Sequence, residues 1–312
     1  MSGIKVFSGS AHPQLARSIC EHLGVPLGCA RIIRFSNENI KVCIDENVRE
    51  ADVFLIQPSC PPVNDGLVEL LIFIDALRYA SARRITAVLP YFPYIRSDKK
   101  DEPRISITAR LCADLLQTAG ADRVLTLDLH APQAQGFFRI PCDQLSAVPL
   151  LCQHLRSGDL SNTVVVAADV GEAKDAGRFA KHLGLPLAIV DKRRDGDDER
   201  ARAVTLVGEV AGRRCLVVDD EVATGGTLFE AAEILRSHGA QEVTAAVVHP
   251  VLCGSAVARL DRSAVSRLLV TDSIPLPPEK RSPRIEVLSV AALLAAAIAR
   301  IHEGRSVSEL LG

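Results

Sequence analysis

Arg214-Cys-Leu-Val-Val-Asp-Asp-Glu-Val-Ala-Thr-Gly-Gly-Thr227 is the stretch on which the reading of the whole chain turns. Cys215 to Val218 form a short, wholly apolar run with the β-branched content of a strand buried on both faces. Two adjacent carboxylates, Asp219 and Asp220, end it. A Thr-Gly-Gly-Thr turn follows, then the amphipathic run Leu228 to Arg236, closed by Gly239. Gly225 and Gly226 let the backbone come close to a ligand, and the helix that starts there aims unpaired N–H groups and its dipole at an anion. Thr224 and Thr227 add hydroxyl donors, and the two aspartates can accept from sugar hydroxyls. The order predicts a phosphate-sugar site. It is not a Walker A loop, because no Gly-Lys-Ser/Thr follows the glycines.

Outward from that stretch, strand-like and helical runs alternate. Ile4–Phe7 precedes a helix over 12–23, and Val53–Gln57 precedes one over 64–80. Ile85–Pro90 leads through a polar loop to a helix over 106–119 and a strand over 123–128. The pattern restarts at Thr163–Ala167, with a helix over 171–183, strands over 187–191 and 214–219, a helix over 226–238 and a strand over 242–248. Such alternation predicts an α/β fold with mostly parallel sheets flanked by helices. The chain of 312 residues fits two domains of ordinary size, and the polar break Ser157-Gly-Asp-Leu-Ser-Asn162 lies near their expected boundary. The domains are read as 1–145 and 146–312. Val287 to Ile301 is too short to span a bilayer and predicts a buried helix.

Further strand ends carry chemistry. His130 lies just past a buried strand in Asp128-Leu-His130, Asp169 ends Val164-Val-Val-Ala-Ala-Asp169, and Ile189-Val-Asp-Lys-Arg-Arg194 ends another strand in three cations. In open α/β sheets ligands bind at such carboxyl ends. Net charge is -2, so no nucleic-acid or anionic-membrane partner is expected. The N-terminus reads as a strand and turn rather than a signal peptide. Nine scattered cysteines with no Cys-x-x-Cys pair predict reduced core thiols of a cytoplasmic protein.

The loop at 219–227 resembles the phosphoribosyl-diphosphate loop of type I phosphoribosyltransferases and ribose-phosphate diphosphokinases. Arg34-Phe-Ser-Asn37, Asn64-Asp-Gly-Leu-Val-Glu-Leu-Leu71, Phe92-Pro-Tyr-Ile-Arg96, Asp128-Leu-His130 and Gln135-Gly-Phe-Phe138 extend the resemblance to the second family over nearly the whole chain. A plain phosphoribosyltransferase would share only the loop.

The resemblance implies two phosphoribosyltransferase-like domains. It also implies transfer of the diphosphoryl group of ATP to the 1-hydroxyl of ribose 5-phosphate, giving phosphoribosyl diphosphate and AMP. Carried over position by position, His130 and Asp169 hold Mg²⁺, while Lys192 and Arg194 are catalytic. Asp219, Asp220 and the loop from Ala223 through Thr224, Gly225, Gly226 and Thr227 bind ribose 5-phosphate. Phe35, Asn37, Asn39, Arg96 and Ser97 bind ATP, with Phe35 and Asn37 serving a neighbouring subunit, so a homo-oligomer is implied, commonly a hexamer. Arg49 and Ser308 match a regulatory site for phosphate or ADP. Asn39 stands where the family usually has an acid, Ser97 where it has Gln, and Ala223 where it has a third loop acid. The other readings are a catalytically silent subunit of the same family and a phosphoribosyltransferase.

Overall fold

The computed structural model describes residues 3–193 and 203–310. It divides into two compact units, residues 1–146 with 273–275 and 289–312, and residues 147–272 with 276–288.

The first unit opens with β1 (Ile4–Ser8), α1 (Pro13–Leu23) and a two-stranded antiparallel hairpin, β2 (Ala30–Arg34) and β3 (Ile40–Ile44). It continues through β4 (Asp52–Ile56), α2 (Val63–Tyr79), β5 (Arg84–Leu89), α3 (Thr108–Ala119), β6 (Arg123–Leu127) and β7 (Cys142–Leu145). The sheet runs β1-β4-β5-β6-β7, every neighbouring pair parallel. All five residues of β4 are buried, as its unbroken apolar run requires of a strand covered on both faces. Phe7, Phe54, Phe73 and Leu77 fill the interior.

The second unit contains α4 (Val148–Leu155), β8 (Thr163–Ala167), α5 (Ala173–Leu183), β9 (Leu187–Arg193), β10 (Ala203–Val207), β11 (Arg214–Glu221) and α6 (Gly226–Ser237). It then adds β12 (Glu242–His249), α7 (Ala256–Arg262), β13 (Val265–Thr271) and β14 (Ile285–Leu288). The strand order is β10-β9-β8-β11-β12-β13-β14. Only β10 is antiparallel to its neighbour. From β8 the chain moves one way in the sheet to β9 and later the other way to β11. The order therefore reverses between β8 and β11, and an open α/β sheet has its ligand crevice at the carboxyl ends of such strands.

Two expected elements differ in extent. The strand at 187–191 runs on to Arg193 because β10 pairs with it, Val204 opposite Lys192. The helix expected from Val287 begins at Ala291, since Ile285–Leu288 are drawn into β14 beside β13. The helix after the glycine turn begins at Gly226, as expected.

The last helix, α8 (Ala291–His302), belongs to the first unit. One fully buried carboxylate ties it there. Asp52 accepts from Arg84 Nε at 2.7 Å and Nη2 at 2.5 Å, and lies 2.8 Å from His302 Nδ1. Arg84 stands opposite Asp52 across β4 and β5, and its Nη2 also donates to the Ile301 carbonyl at 3.0 Å. The pairing holds the Arg84 pKa above its ordinary value. A buried cation stripped of its counter-ion is costly, although Arg84 keeps 30% of its side-chain surface exposed and regains some water. Asp52→Ala is therefore expected to cost about 3 kcal/mol in urea unfolding. A loss below about 1 kcal/mol would show that this carboxylate does not anchor α8.

Candidate active site

Asp219 and Asp220 occupy the carboxyl end of β11, and Asp169 lies just past the end of neighbouring β8. The loop after Asp169 turns tightly enough that the Glu172 N–H donates to its Oδ1 at 3.2 Å. Glu172, next before α5, lies close enough to Asp219 to act on its charge. The reversal point of the sheet thus gathers four half-buried carboxylates from two strand ends.

Their electrostatics are strained. Burial raises the Asp219 pKa well above the usual carboxylate range, and the carboxylates of Asp220 and Glu172 push it the same way. The Asp220 N–H, which donates to Asp219 Oδ1 at 2.9 Å, offsets only part of this. Asp220 Oδ1 in turn accepts from the Glu221 N–H at 2.7 Å. Such a set of hard oxygen donors with surplus negative charge fits a hard divalent cation, and equally the hydroxyls of a sugar.

The glycine turn follows. Gly225 has φ 70° and ψ 13° and serves as the N-cap of α6. A Cβ there would lie 2.1 Å from Phe229 Cε2, so conformation and space both require glycine. No side chain caps α6 among the described residues, and the first-turn amides of Gly226, Thr227 and Leu228 face outward from the helix start. With the dipole of a twelve-residue helix behind them they are suited to receive an anion. Behind the turn, Leu252 and Cys253 N–H donate to the carbonyls of Val222 and Ala223 at 2.9 Å each.

Lys192 lies within β9 rather than beyond it, and Arg194 falls outside the described residues. In the first unit, His130 is half-buried three residues past β6, after Asp128, whose positive φ of 30° bends the chain off the strand. Ser146 Oγ holds Asp128 Oδ1 at 2.7 Å. Arg96 is exposed and Ser97 half-buried in the loop after β5. That loop meets the one after His130 where Gln133 donates to Asp98 at 2.8 Å. Phe35, Asn37 and Asn39 sit at the exposed tip of the β2–β3 hairpin, Phe35 with 48% of its surface open. Phe35 N–H donates to the Asn39 carbonyl and Asn39 N–H to Asn37 Oδ1, which sets the tip. Ser308 lines a cavity of about 320 Å³ with Arg84, Arg123, Asp143 and Arg305, and exposed Arg49 is not in its wall.

Comparison with known proteins gives this arrangement a family. A model of the N-terminal domain of ribose phosphate pyrophosphokinase matches residues 4–120, and one of a phosphoribosyl synthetase-associated domain matches residues 197–312. The ribose-phosphate pyrophosphokinase of Rhizobium meliloti is 51% identical over 309 residues, 98% of this chain and 99% of the relative. The chain belongs to the ribose-phosphate pyrophosphokinase family.

The same-named protein of Caldanaerobacter subterraneus subsp. tengcongensis is 48% identical over 310 residues, covering 99% of this chain and 98% of that one. The phosphoribosylpyrophosphate synthetase structure from Mycobacterium smegmatis superposes with TM-score 0.92 at 41% identity, over 97% of this chain and 100% of that one. The protein is thus an enzyme of this family with its type I phosphoribosyltransferase-like fold. Among the described residues no helix is long and apolar enough to cross a membrane.

Residues that sequence reading missed are Glu172, which adds charge to the Asp219 pair, and the 252–253 backbone that supports the loop. Glu172 could have been noticed, three residues after Asp169 in the same strand-end loop.

The raised Asp219 pKa couples the stability of the fold to pH. The unfolded carboxyl ionises in its ordinary range while the folded one keeps its proton, so the folded chain loses stability as pH rises above that range. Asp219→Asn removes the penalty. In metal-free buffer it is expected to raise Tm by a few degrees near neutral pH while lowering activity. The gap should shrink as pH falls toward the ordinary carboxylate range. Calorimetry showing an unchanged or lower Tm at neutral pH would contradict it.

Proposed function

We propose that this cytoplasmic protein transfers the β,γ-diphosphoryl group of ATP to the 1-hydroxyl of ribose 5-phosphate, releasing AMP. The observation that carries the reading is the glycine-turn cradle directly after paired carboxylates at the sheet's reversal point. A first unit of the matching family accompanies it, which a phosphoribosyltransferase would lack. Free cysteines throughout are in keeping with a reducing compartment.

In this reading the Thr224–Thr227 turn binds the 5-phosphate, and Asp219 and Asp220 accept from ribose hydroxyls. The 1-hydroxyl oxygen attacks the β-phosphorus of ATP, the bridge to the α-phosphorus breaks, and AMP leaves with that bridging oxygen. The hydroxyl proton passes to solvent. Arg96 binds ATP phosphates with Ser97 beside it, while Lys192 and Arg194 stabilise charge on the transferring group. His130 and Asp169 are the assigned Mg²⁺ ligands, and when bound the ion neutralises the nucleotide phosphates. The exposed Phe35–Asn37–Asn39 tip serves the adenine of a neighbouring subunit, which makes the enzyme a homo-oligomer, by the resemblance a hexamer. Arg49 and Ser308 are assigned to a regulatory anion site by the resemblance alone, since Arg49 does not line the cavity that Ser308 does.

Lys192 is assigned to the transition state, so its loss should act on turnover. Lys192→Ala is expected to lower kcat on the order of a hundredfold or more and leave the ATP KM within a few-fold. Phe35→Ala should instead weaken ATP binding, and co-expressing the two variants should restore part of the activity because a mixed oligomer contains intact shared sites. Near-normal turnover of Lys192→Ala would remove its catalytic role, and absence of complementation would remove the shared site.

Asn39 offers the base an amide, which donates or accepts, where a carboxylate only accepts. Discrimination between ATP and GTP should be weak, and Asn39→Glu should sharpen it toward ATP by about tenfold in kcat/KM. A strong ATP preference that Asn39→Glu leaves unchanged would contradict this role.

A further inference from the structure

Arg259, on α7, touches the ribose-phosphate loop from behind. Its Nη1 donates to the Thr224 carbonyl at 3.1 Å, although the two residues are 35 apart in the chain. Its guanidinium carbon also lies 5.7 Å from the centre of the Phe229 ring. That same ring occupies the space that a side chain at Gly225 would need. Phe229 therefore lies against both the turn and the cation that holds it. Lys280 braces the adjoining loop in a related way, its Nζ donating to the Val251 carbonyl at 2.7 Å.

The consequence follows from peptide geometry. The Thr224–Gly225 unit is planar and trans, so its carbonyl and its N–H point in opposite directions. A donor that fixes the Thr224 carbonyl toward α7 fixes the Gly225 N–H away from α7. The hydrogen bond is charge-assisted, and a positive charge on the carbonyl polarises the whole amide, strengthening its N–H as a donor. Stacking on an aromatic face holds the otherwise mobile guanidinium in place. Arg259 itself is exposed, and the Phe229 ring beneath it belongs to the apolar core of the unit.

We infer that Arg259 is a positioning residue for phosphate binding: through the Thr224–Gly225 peptide it orients and strengthens the Gly225 N–H as a donor to the 5-phosphate of the sugar substrate. The inference rests on the assignment of the Thr224–Thr227 turn to that phosphate. Lysine at this position keeps the charge and one donor but loses the planar stacking surface.

Steady-state kinetics of Arg259→Ala, Arg259→Lys and, as a direct probe of the turn, Thr227→Val separate the two claims. Arg259→Ala is expected to raise the ribose 5-phosphate KM about tenfold, the size of one lost charge-assisted hydrogen bond. Its kcat should stay within about threefold and its ATP KM unchanged, and Arg259→Lys should recover much of the loss. If Thr227→Val leaves the ribose 5-phosphate KM unchanged, the phosphate assignment itself fails, and this inference with it. If Thr227→Val raises that KM and Arg259→Ala does not, the inference alone is overturned. Arg259 variants that unfold, or that impair ATP and sugar kinetics alike, would make the residue structural and overturn it too.

Discussion

Mutual repulsion of carboxylates at the end of a buried strand is the constraint on which the second unit depends. β11 delivers Asp219 and Asp220 side by side, and Glu172 adds a third negative charge that acts on Asp219. Among the described residues no arginine or lysine acts to lower the Asp219 pKa. A fold built only for stability would not gather these groups at the reversal point of its sheet. The cost is understandable if cations or sugar hydroxyls complete the site, because each then binds where the protein is least satisfied.

The turn that follows is held from several directions. Phe229 fills the space under Gly225, the 252–253 backbone supports Val222 and Ala223, and Arg259 holds the Thr224 carbonyl. An anion cradle made of backbone amides has no side-chain freedom with which to adapt, so its accuracy depends on this backing. In the first unit one carboxylate likewise meets Arg84 and His302, partners from different elements.

What the sequence shows of this design is what is local. Apolar run, acid pair, glycine turn and helix are contiguous, so covalent order alone sets their geometry, and β11 and α6 are found where the stretch 214–236 places them. His130 and Asp169 likewise stand beyond β6 and β8 as their position after apolar runs implies. Contacts between distant segments are not legible in this way. The return of α8 to the first unit brings His302 to Asp52, 250 positions away. The β10 strand follows a charged stretch, and its antiparallel pairing with β9 is set by tertiary contact rather than by local order. Arg259 meets Thr224 only through the fold, 35 positions apart in the chain.

The most direct measurement of the account follows oxygen through the reaction. The enzyme is incubated with ATP, Mg²⁺ and ribose 5-phosphate carrying ¹⁸O in its 1-hydroxyl, and the products are examined by mass spectrometry and ³¹P NMR. Attack of that hydroxyl on the β-phosphorus must leave the label in the bridge between sugar and diphosphate, with AMP unlabelled. Loss of the label from the sugar product, or formation of ADP in place of AMP, would contradict the account.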